Sequence, residues 1–276
     1  MQVKQKTLSS PVTFEGVGIH SGASVIMTVA PAEENTGLYF IRTDLSGARV
    51  TVSINNLKHT DRATSLEENN IRISTPEHIL SALAAHGITN ARITLNNEEA
   101  PIMDGSSLPF YEAIEATGTT EQDASLSPIT LKSPIRLEYE TKSIIAIPQD
   151  TPSFTYFFEY PNTHVPAQMA HLGDMATYKA EIAPARTFGF EHEINYLKSQ
   201  GLAQGGTLEN ALVIGKEDYI NPTRFENECA RHKCLDLIGD CWVAERPILA
   251  SIVGIKTGHA DTMNLLKEIM NQNPDA

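Results

Sequence analysis

The stretch CARHKCLDLIGDC, from Cys229 to Cys241, concentrates side chains that can bind metals or carry protons. At about 100° per residue, a helix over this stretch places four polar side chains on one face with Cys229. These four are His232, Lys233, Asp236 and Asp240. Cys234 and Cys241 fall on the apolar side, and no CxxC spacing occurs. We therefore interpret these two cysteines as buried core residues, and attention passes to the histidine and the aspartates.

His232 and Asp236 are four residues apart and point the same way from one helix. Such a pair can bind a metal, but it is also typical of a surface ion pair. A metal site needs a further ligand, and His78 is the candidate because Glu77 precedes it in the first turn of a predicted helix. Two histidines and one carboxylate leave a fourth zinc position open for water, which is the catalytic pattern. Glu77 would be the base for that water, or would only complement the helix N-terminus.

A hydrolytic site also needs groups that stabilise the oxyanion formed when water attacks a carbonyl. Lys233 and His259, the latter in the sequence KTGH, are the candidates. His259 follows a glycine, so we expect it exposed on a turn, as suits a functional histidine. An exposed, functionally neutral histidine is the alternative.

Composition limits the classes of protein that fit. The 276 residues suffice for one large or two modest domains, and 41% of them are hydrophobic. The first residues, MQVKQKTLSS, lack the apolar segment of a signal peptide, and no run of about 18 apolar residues occurs. Three cysteines in this length suit a reduced, cytoplasmic protein. The net charge of −13 argues against nucleic-acid binding.

The order of predicted elements indicates a duplicated α+β unit. Each half shows strand-like runs followed by helices. The clearest helix is predicted to start with Thr75 as N-cap and Pro76 at the first position, and to end before Gly87. The polar stretch TGTTEQDASLSP is the predicted linker between the halves.

Six motifs then occur in order: GVGIHSG (16–22), RISTPEHILSAL (72–83), APIMDGSSLPF (100–110), ARTFGF (185–190), RHKCLDLIGD (231–240) and KTGH (256–259). Together they closely resemble the zinc-dependent UDP-3-O-acyl-N-acetylglucosamine deacetylases of lipid A biosynthesis, over nearly the whole chain. The resemblance implies a zinc amidase that removes the acetyl group from the UDP-linked acylated sugar. It also implies two similar α+β domains whose helix pairs pack between two sheets, each domain with a small insert. We expect domains at 1–118 and 129–276, a linker at 119–128, and a second-domain insert at about 188–215.

The resemblance also implies residue roles. His78, His232 and Asp236 match zinc ligands, and Glu77 matches the general base. His259 matches the cationic histidine that stabilises the oxyanion and protonates the leaving amine. The remaining catalytic matches are Asp240, which orients that histidine, Thr187, which helps hold the tetrahedral intermediate, and Lys233, which contacts substrate.

Substrate contacts follow from looser matches. His20 resembles a histidine near the cleft that can bind a second, inhibitory zinc. Glu159 and Tyr160 resemble an acidic–aromatic pair that contacts uridine. The insert resembles a hydrophobic passage for the acyl chain. Its expected lining residues, which are alternatively ordinary core, are Phe188, Ile194, Leu202 and Val213.

Two residues depart from the pattern of the family. Ala63 stands where a cysteine is common, and Arg62 replaces a small or apolar residue, so the pocket beside the metal is expected to differ in shape. The competing hypotheses are a non-catalytic sugar-nucleotide sensor, a zinc amidase for another acetylated sugar or a peptide, and a structural metal protein. We expect a monomer that comes close to a membrane surface only transiently.

Overall fold

The computed structural model describes residues 2–60 and 62–273. Met1, Asp61 and residues 274–276, which fall inside the two predicted domain ranges, lie outside the described residues.

The first half of the chain contains the strands and helices of one α+β unit. Its strands are β1 (Val3–Leu8), β2 (Val12–Val17), β3 (Ser24–Pro31), β4 (Leu38–Arg42), β5 (Ala48–Thr51), β6 (Leu57–Thr60), β7 (Ala63–Glu68), β8 (Ile71–Ser74), β9 (Ala91–Leu95) and β10 (Thr119–Leu126). Its helices are α1 (Glu77–His86) and α2 (Leu108–Thr117).

The second half repeats that order of elements. Its strands are β11 (Ile129–Thr130), β12 (Ile135–Glu138), β13 (Ser143–Pro148), β14 (Ser153–Phe158), β15 (Gln168–Leu172), β16 (Phe188–Phe190), β17 (Leu212–Ile214) and β18 (Ile248–Ile255). Its helices are α3 (Tyr178–Glu181), α4 (Glu191–Ser199), α5 (Glu228–Cys241) and α6 (His259–Gln272).

The two main sheets share one topology. The first has the order β2-β3-β9-β4-β5 and the second β12-β13-β18-β14-β15, with β11 paired to β18. In each, the last strand lies in the centre. Strand β9 runs antiparallel to β3 and parallel to β4, and β18 runs antiparallel to β13 and parallel to β14. Burial alternates along β18, so one face of the sheet is turned to the core. The predicted α+β class with two similar units is confirmed.

Each half carries an insert between its fourth main-sheet strand and its central helix. In the first half the insert is the three-stranded sheet β6-β7-β8. In the second half, β16, α4 and β17 form a βαβ unit whose strands pair in parallel, with Phe188 opposite Leu212.

The helices form the layer between the sheets and carry the candidate site. Helix α1 packs against α5 and α2, and α5 also packs against β14 and β15. Eight consecutive residues of α1, from Glu77 to Ala84, are buried. This happens because neighbours cover the helix on several sides. No helix within 2–60 and 62–273 is long and apolar enough to cross a membrane.

The stretch predicted as the linker between the halves contains a strand. Residues Thr119–Leu126 form β10, which pairs antiparallel with β1, so that Thr7 faces Thr120. Alternating exposed and partly buried side chains allow a polar sequence to add a strand at the surface. The division into domains 1–118 and 129–276 stays a prediction.

The start of α1 also differs from the prediction. Pro76, not Thr75, occupies the N-cap position, and no side chain caps the helix. Thr75 has a left-handed backbone (φ 56°). Its hydroxyl donates to the Glu99 carboxylate, 3.3 Å away, instead of to the helix. The predicted end of the helix is confirmed, because Gly87 adopts the left-handed conformation there.

Candidate metal and catalytic site

The structure brings His78, His232 and Asp236 into one buried cluster. One candidate ligand atom from each lies within 4.8 Å of the others. The Asp236 Oδ1 atom is 3.3 Å from His232 Nε2 and 3.8 Å from His78 Nε2. The sequence alternative of a surface ion pair is therefore wrong, because all three side chains are buried.

Two helices that pack closely together supply these candidate ligands. His78 lies in the first turn of α1, while His232 and Asp236 lie one turn apart on α5. Gly239 of α5 lies against Glu77 of α1, where a Cβ atom on the glycine would come within 2.0 Å of the Glu77 carbonyl oxygen. The absence of a side chain at this position lets the helix faces meet.

His78 and His232 are both expected to be neutral, as metal binding requires. His232 Nδ1 donates to the Ala185 carbonyl at 3.1 Å, which leaves the Nε2 lone pair directed at Asp236. Burial lowers the pKa of His232, and burial together with the neighbouring His232 lowers the pKa of His78 to about 3. Metal binding requires neutral imidazole, so the donor set of two imidazoles and one carboxylate fits a divalent cation.

Asp236 completes the set as an anion. Burial alone would raise the pKa of this carboxyl group, but its neighbours His232 and Lys233 outweigh that effect and hold the pKa far below its usual range. Lys233 Nζ donates to Asp236 Oδ2 at 2.8 Å. Burial would lower the pKa of Lys233, yet Asp236 and Tyr156 raise it above the usual value. The ammonium group is therefore charged inside the cavity.

Glu77 is a buried carboxyl group beside the cluster. Glu77 is the first residue of α1 and is 3% exposed. Its Oε2 atom has no hydrogen-bond partner among the described residues. Burial raises the pKa of Glu77 to about 8; His259 opposes this shift, whereas Asp240 and Asp236 add to it. A carboxyl group whose pKa lies near neutrality can both accept and return a proton at physiological pH.

His259 and Asp240 form a buried pair on the other side of the cluster. His259 Nδ1 lies 2.8 Å from Asp240 Oδ2. Burial would lower the pKa of His259, but the Asp240 charge and hydrogen bond raise it to about 9, so the ring carries a proton at neutral pH. The expectation of an exposed histidine on a turn is wrong: His259 is the first residue of α6 and is buried.

Thr64 contacts both members of the His259–Asp240 pair, and the sequence did not reveal this role. Its hydroxyl donates to Asp240 Oδ1 at 2.6 Å and lies 3.1 Å from His259 Nδ1. Thr64 follows Ala63 on β7, in the insert of the first half. Nothing in its local sequence marks it, because its partner Asp240 is 176 residues away.

Thr187 is held at the cavity by its backbone. Its N–H donates to Gly105 at 2.7 Å, and its carbonyl accepts from Leu212 at 2.8 Å. The preceding Arg186 forms a buried ion pair with Glu228, with Nε donating to Oε1 at 2.9 Å. This ion pair joins the ARTFGF segment to the first turn of α5, and sequence reasoning missed it.

A cavity of about 650 Å³ joins these residues. Its polar end contains Glu77, the cluster, Lys233, Thr187 and His259. Toward the second insert the lining becomes apolar, with Phe188, Phe190, Ile194, Leu197, Leu208 and Val213. Among the expected passage residues, Leu202 is not part of the lining formed by residues 2–60 and 62–273.

Both expected uridine contacts line this cavity and have partners of their own. Glu159 accepts from Lys256 Nζ at 3.0 Å. The Tyr160 ring lies 4.1 Å from that of Phe190, and its hydroxyl donates to Glu193 at 3.3 Å. Both side chains are exposed, so a ligand can reach them.

His20 and Arg62 lie at the cavity wall. The backbone N–H of His20 donates to Glu99 Oε1 at 2.8 Å. Its ring Nδ1 is buried without a hydrogen-bond partner in the described part of the chain. Arg62 pairs with Glu193 at 3.0 Å and has a left-handed backbone (φ 69°). The residue that departs from the family pattern thus links the two inserts across the cavity.

Known proteins resemble this chain along its length. The family model LpxC, described as UDP-3-O-acyl N-acetylglycosamine deacetylase, matches residues 5–271. A UDP-3-O-acyl-N-acetylglucosamine deacetylase from Leptospira biflexa is 37% identical, with 98% of this chain and 91% of the relative covered. Proteins of the same name from Wolinella succinogenes (38% identical; 98% and 91% covered) and Thermosynechococcus vestitus (40% identical; 97% and 94% covered) are also similar.

Proposed function

The chain belongs to the LpxC family of UDP-3-O-acyl-N-acetylglucosamine deacetylases, and from this we infer that it hydrolyses the acetamide of such a substrate. The products are acetate and the UDP-3-O-acyl-glucosamine of lipid A biosynthesis. One observation supports this most strongly. The buried cluster His78–His232–Asp236 opens into a cavity that also contains Glu77 and His259.

We propose zinc as the resident ion, held by His78, His232 and Asp236. Two imidazoles and one carboxylate are one of the ligand sets of catalytic zinc sites, in which one position stays open. When bound, such an ion acts as a Lewis acid and lowers the pKa of coordinated water. Metal analysis of protein purified without added metal tests the identity of the ion.

Glu77 is proposed as the general base. Its Oε2 atom faces no protein partner within the described residues, so a carboxylate oxygen is free to take a proton from the attacking water. The water oxygen then bonds to the acetyl carbon while Glu77 holds the proton.

The opposite wall supplies positive charge. His259 is protonated at neutral pH, Asp240 fixes its Nδ1 side, and the Nε2 side faces the cluster, 4.0 Å from Asp236 Oδ2. The imidazolium stabilises the developing oxyanion together with the Thr187 hydroxyl and the Lys233 ammonium. When the carbon–nitrogen bond breaks, His259 gives its proton to the leaving amine.

We propose that different parts of the cavity bind different parts of the substrate. The apolar walls around Phe188, Ile194 and Val213 suit an alkyl chain. Glu159 and Tyr160, which line the same cavity, are proposed to contact the uridine. His20 is proposed to bind a second, inhibitory zinc. We further propose a monomer, located in the cytoplasm, that reaches a membrane surface only transiently.

The test is acetate release from UDP-3-O-acyl-N-acetylglucosamine by the metal-loaded protein. Plain UDP-N-acetylglucosamine should be a much poorer substrate, because it lacks the acyl chain. Burial of that alkyl chain contributes up to about 0.8 kcal/mol of binding free energy for each CH₂ group. Equal rates on the two would contradict the assignment of the apolar walls to the acyl chain.

A further inference from the structure

A second cavity lies away from the catalytic cavity, where α1, α5 and the start of β18 meet. Its volume is about 290 Å³. That is close to the lower end of small-molecule sites, which span roughly 300–1,000 Å³. None of its lining residues belongs to the catalytic cavity described above. The two cavities are therefore separate among the described residues.

The floor of this second cavity is apolar. Its buried lining residues include Ala84, Phe154, Ile238, Trp242 and Ile248. Contact with such a floor removes alkyl surface from water, at about 25 cal/mol for each Å² buried. The floor therefore favours a ligand with a short hydrocarbon tail.

The rim of the second cavity carries positive charge. Lys6 and Arg246 line it, both partly buried. Within residues 2–60 and 62–273, neither side chain forms an ion pair or a hydrogen bond. His86 also lines the cavity, but its ring Nε2 is taken by the Tyr111 carbonyl at 3.1 Å.

The described residues that line the second cavity include no Asp or Glu. Glu245, which precedes Arg246, accepts a hydrogen bond from the Leu38 amide, and Glu115 Oε2 lies 2.7 Å from Lys179 Nζ. In a chain of net charge −13, two unpaired cations over an apolar floor form a local site of the opposite sign.

We propose that this second cavity binds a small amphipathic anion, with a carboxylate or phosphate head between Lys6 and Arg246 and a short alkyl tail on the floor. The anionic head would pair with Lys6 and Arg246, whose side chains have no ion-pair partner among residues 2–60 and 62–273. The tail would contact α1 at Ala84 and α5 at Ile238, the same two helices that carry the metal ligands. The proposal does not depend on the deacetylase assignment.

The chain contains a built-in reporter for this site. Trp242 is its only tryptophan, lines the second cavity, and donates from Nε1 to the Ile88 carbonyl at 3.0 Å. The catalytic cavity has no tryptophan in its lining. A saturable change in tryptophan emission therefore reports occupancy near Trp242.

The experiment titrates the full-length, metal-loaded protein with octanoate, octyl phosphate, octanol and octylamine while Trp242 emission is followed. Both anions should bind saturably, octanol at least about ten-fold more weakly, and octylamine more weakly still. A stronger response to octyl phosphate identifies a phosphate head, and a stronger response to octanoate a carboxylate head. No response to either anion, or equal affinity for octanol, would overturn the proposal.

Three variants test whether the probes that change Trp242 emission bind in the second cavity. Lys6→Gln combined with Arg246→Gln should raise the dissociation constant of the anions about ten-fold or more. Lys132→Gln, at an exposed lysine outside the cavity, should leave it unchanged. Ala85→Leu should fill the cavity and abolish binding of every probe while deacetylation persists. Unchanged anion affinity in the double variant would show binding elsewhere and contradict the assignment.

Discussion

Gly239 of α5 lies directly on the backbone of Glu77 in α1, so that a Cβ atom on the glycine would meet the Glu77 carbonyl oxygen at 2.0 Å. This contact sets the distance between the helix that carries His232 and Asp236 and the helix that carries His78. The arrangement of His78, His232 and Asp236 therefore depends on a residue that contributes no side chain to the cluster.

Gly239→Ala should push the two helices apart. We expect a lower melting temperature and a sharp loss of bound metal, because the ligand atoms must stay within a short range of one another. Gly189→Ala is the matched control, since a Cβ atom there meets nothing within 4 Å. Full metal content in Gly239→Ala would show that the close approach is not required.

Thr64→Val should weaken the His259–Asp240 pair. A hydrogen bond to a charged group contributes about 1.5–3 kcal/mol, so kcat should fall roughly ten-fold or more while metal content stays unchanged. Thr64→Ser retains the hydroxyl and should recover most of the rate. Steady-state kinetics and metal analysis on both variants test this, and equal rates for Val and Ser would rule out a role for the hydroxyl.

Arg186→Met should destabilise the fold. Removing one partner of a buried ion pair costs about 3–5 kcal/mol, because Glu228 would stay buried without its counter-ion. Arg136→Met breaks the exposed pair with Glu138 and should cost about 1 kcal/mol or less. Chemical denaturation of both variants gives the comparison, and similar losses would mean that burial of the first pair is unimportant.

Glu245 should make stability depend on pH. Burial raises its pKa from 4.5 to about 7, against the hydrogen bond from the Leu38 amide and the charges of Arg246 and Arg49. The native protein thus holds this proton more tightly than the unfolded chain. The resulting stability is complete below pH 4.5 and is lost as the pH rises through about 7.

Glu245→Gln should remove that contribution while keeping an oxygen to accept from Leu38. The free energy of unfolding of the natural protein should fall by on the order of 1–3 kcal/mol more than that of the variant between pH 4.5 and 8. Glu138→Gln, at an exposed glutamate, should keep the original slope. Parallel curves for the natural protein and Glu245→Gln would contradict the buried-carboxyl account.

Local sequence could predict those features that one element determines by itself. The spacing of His232 and Asp236 placed both on one helix face, and Gly87 marked the end of α1. Apolar periodicity and the order of elements indicated two similar α+β units. The strand over the polar stretch Thr119–Leu126 was not predicted, because it is stabilised by pairing with β1, more than 100 residues earlier in the chain.

The rest depends on contacts between residues far apart in the sequence. Thr64 acquires its role only when β7 packs near α5, and Arg186 only when Glu228 comes beside it. Burial of His259 likewise follows from the packing of α6, not from the glycine before it. No local pattern carries this information.

The central claim is that Glu77 moves the proton while His78, His232 and Asp236 hold the metal. The most direct test measures kcat and bound metal on the same preparations of Glu77→Gln and His78→Ala. The account predicts that Glu77→Gln keeps its metal and loses on the order of 10²–10⁴ in rate, whereas His78→Ala loses its metal. Near-normal turnover by Glu77→Gln, or full metal content in His78→Ala, would contradict it.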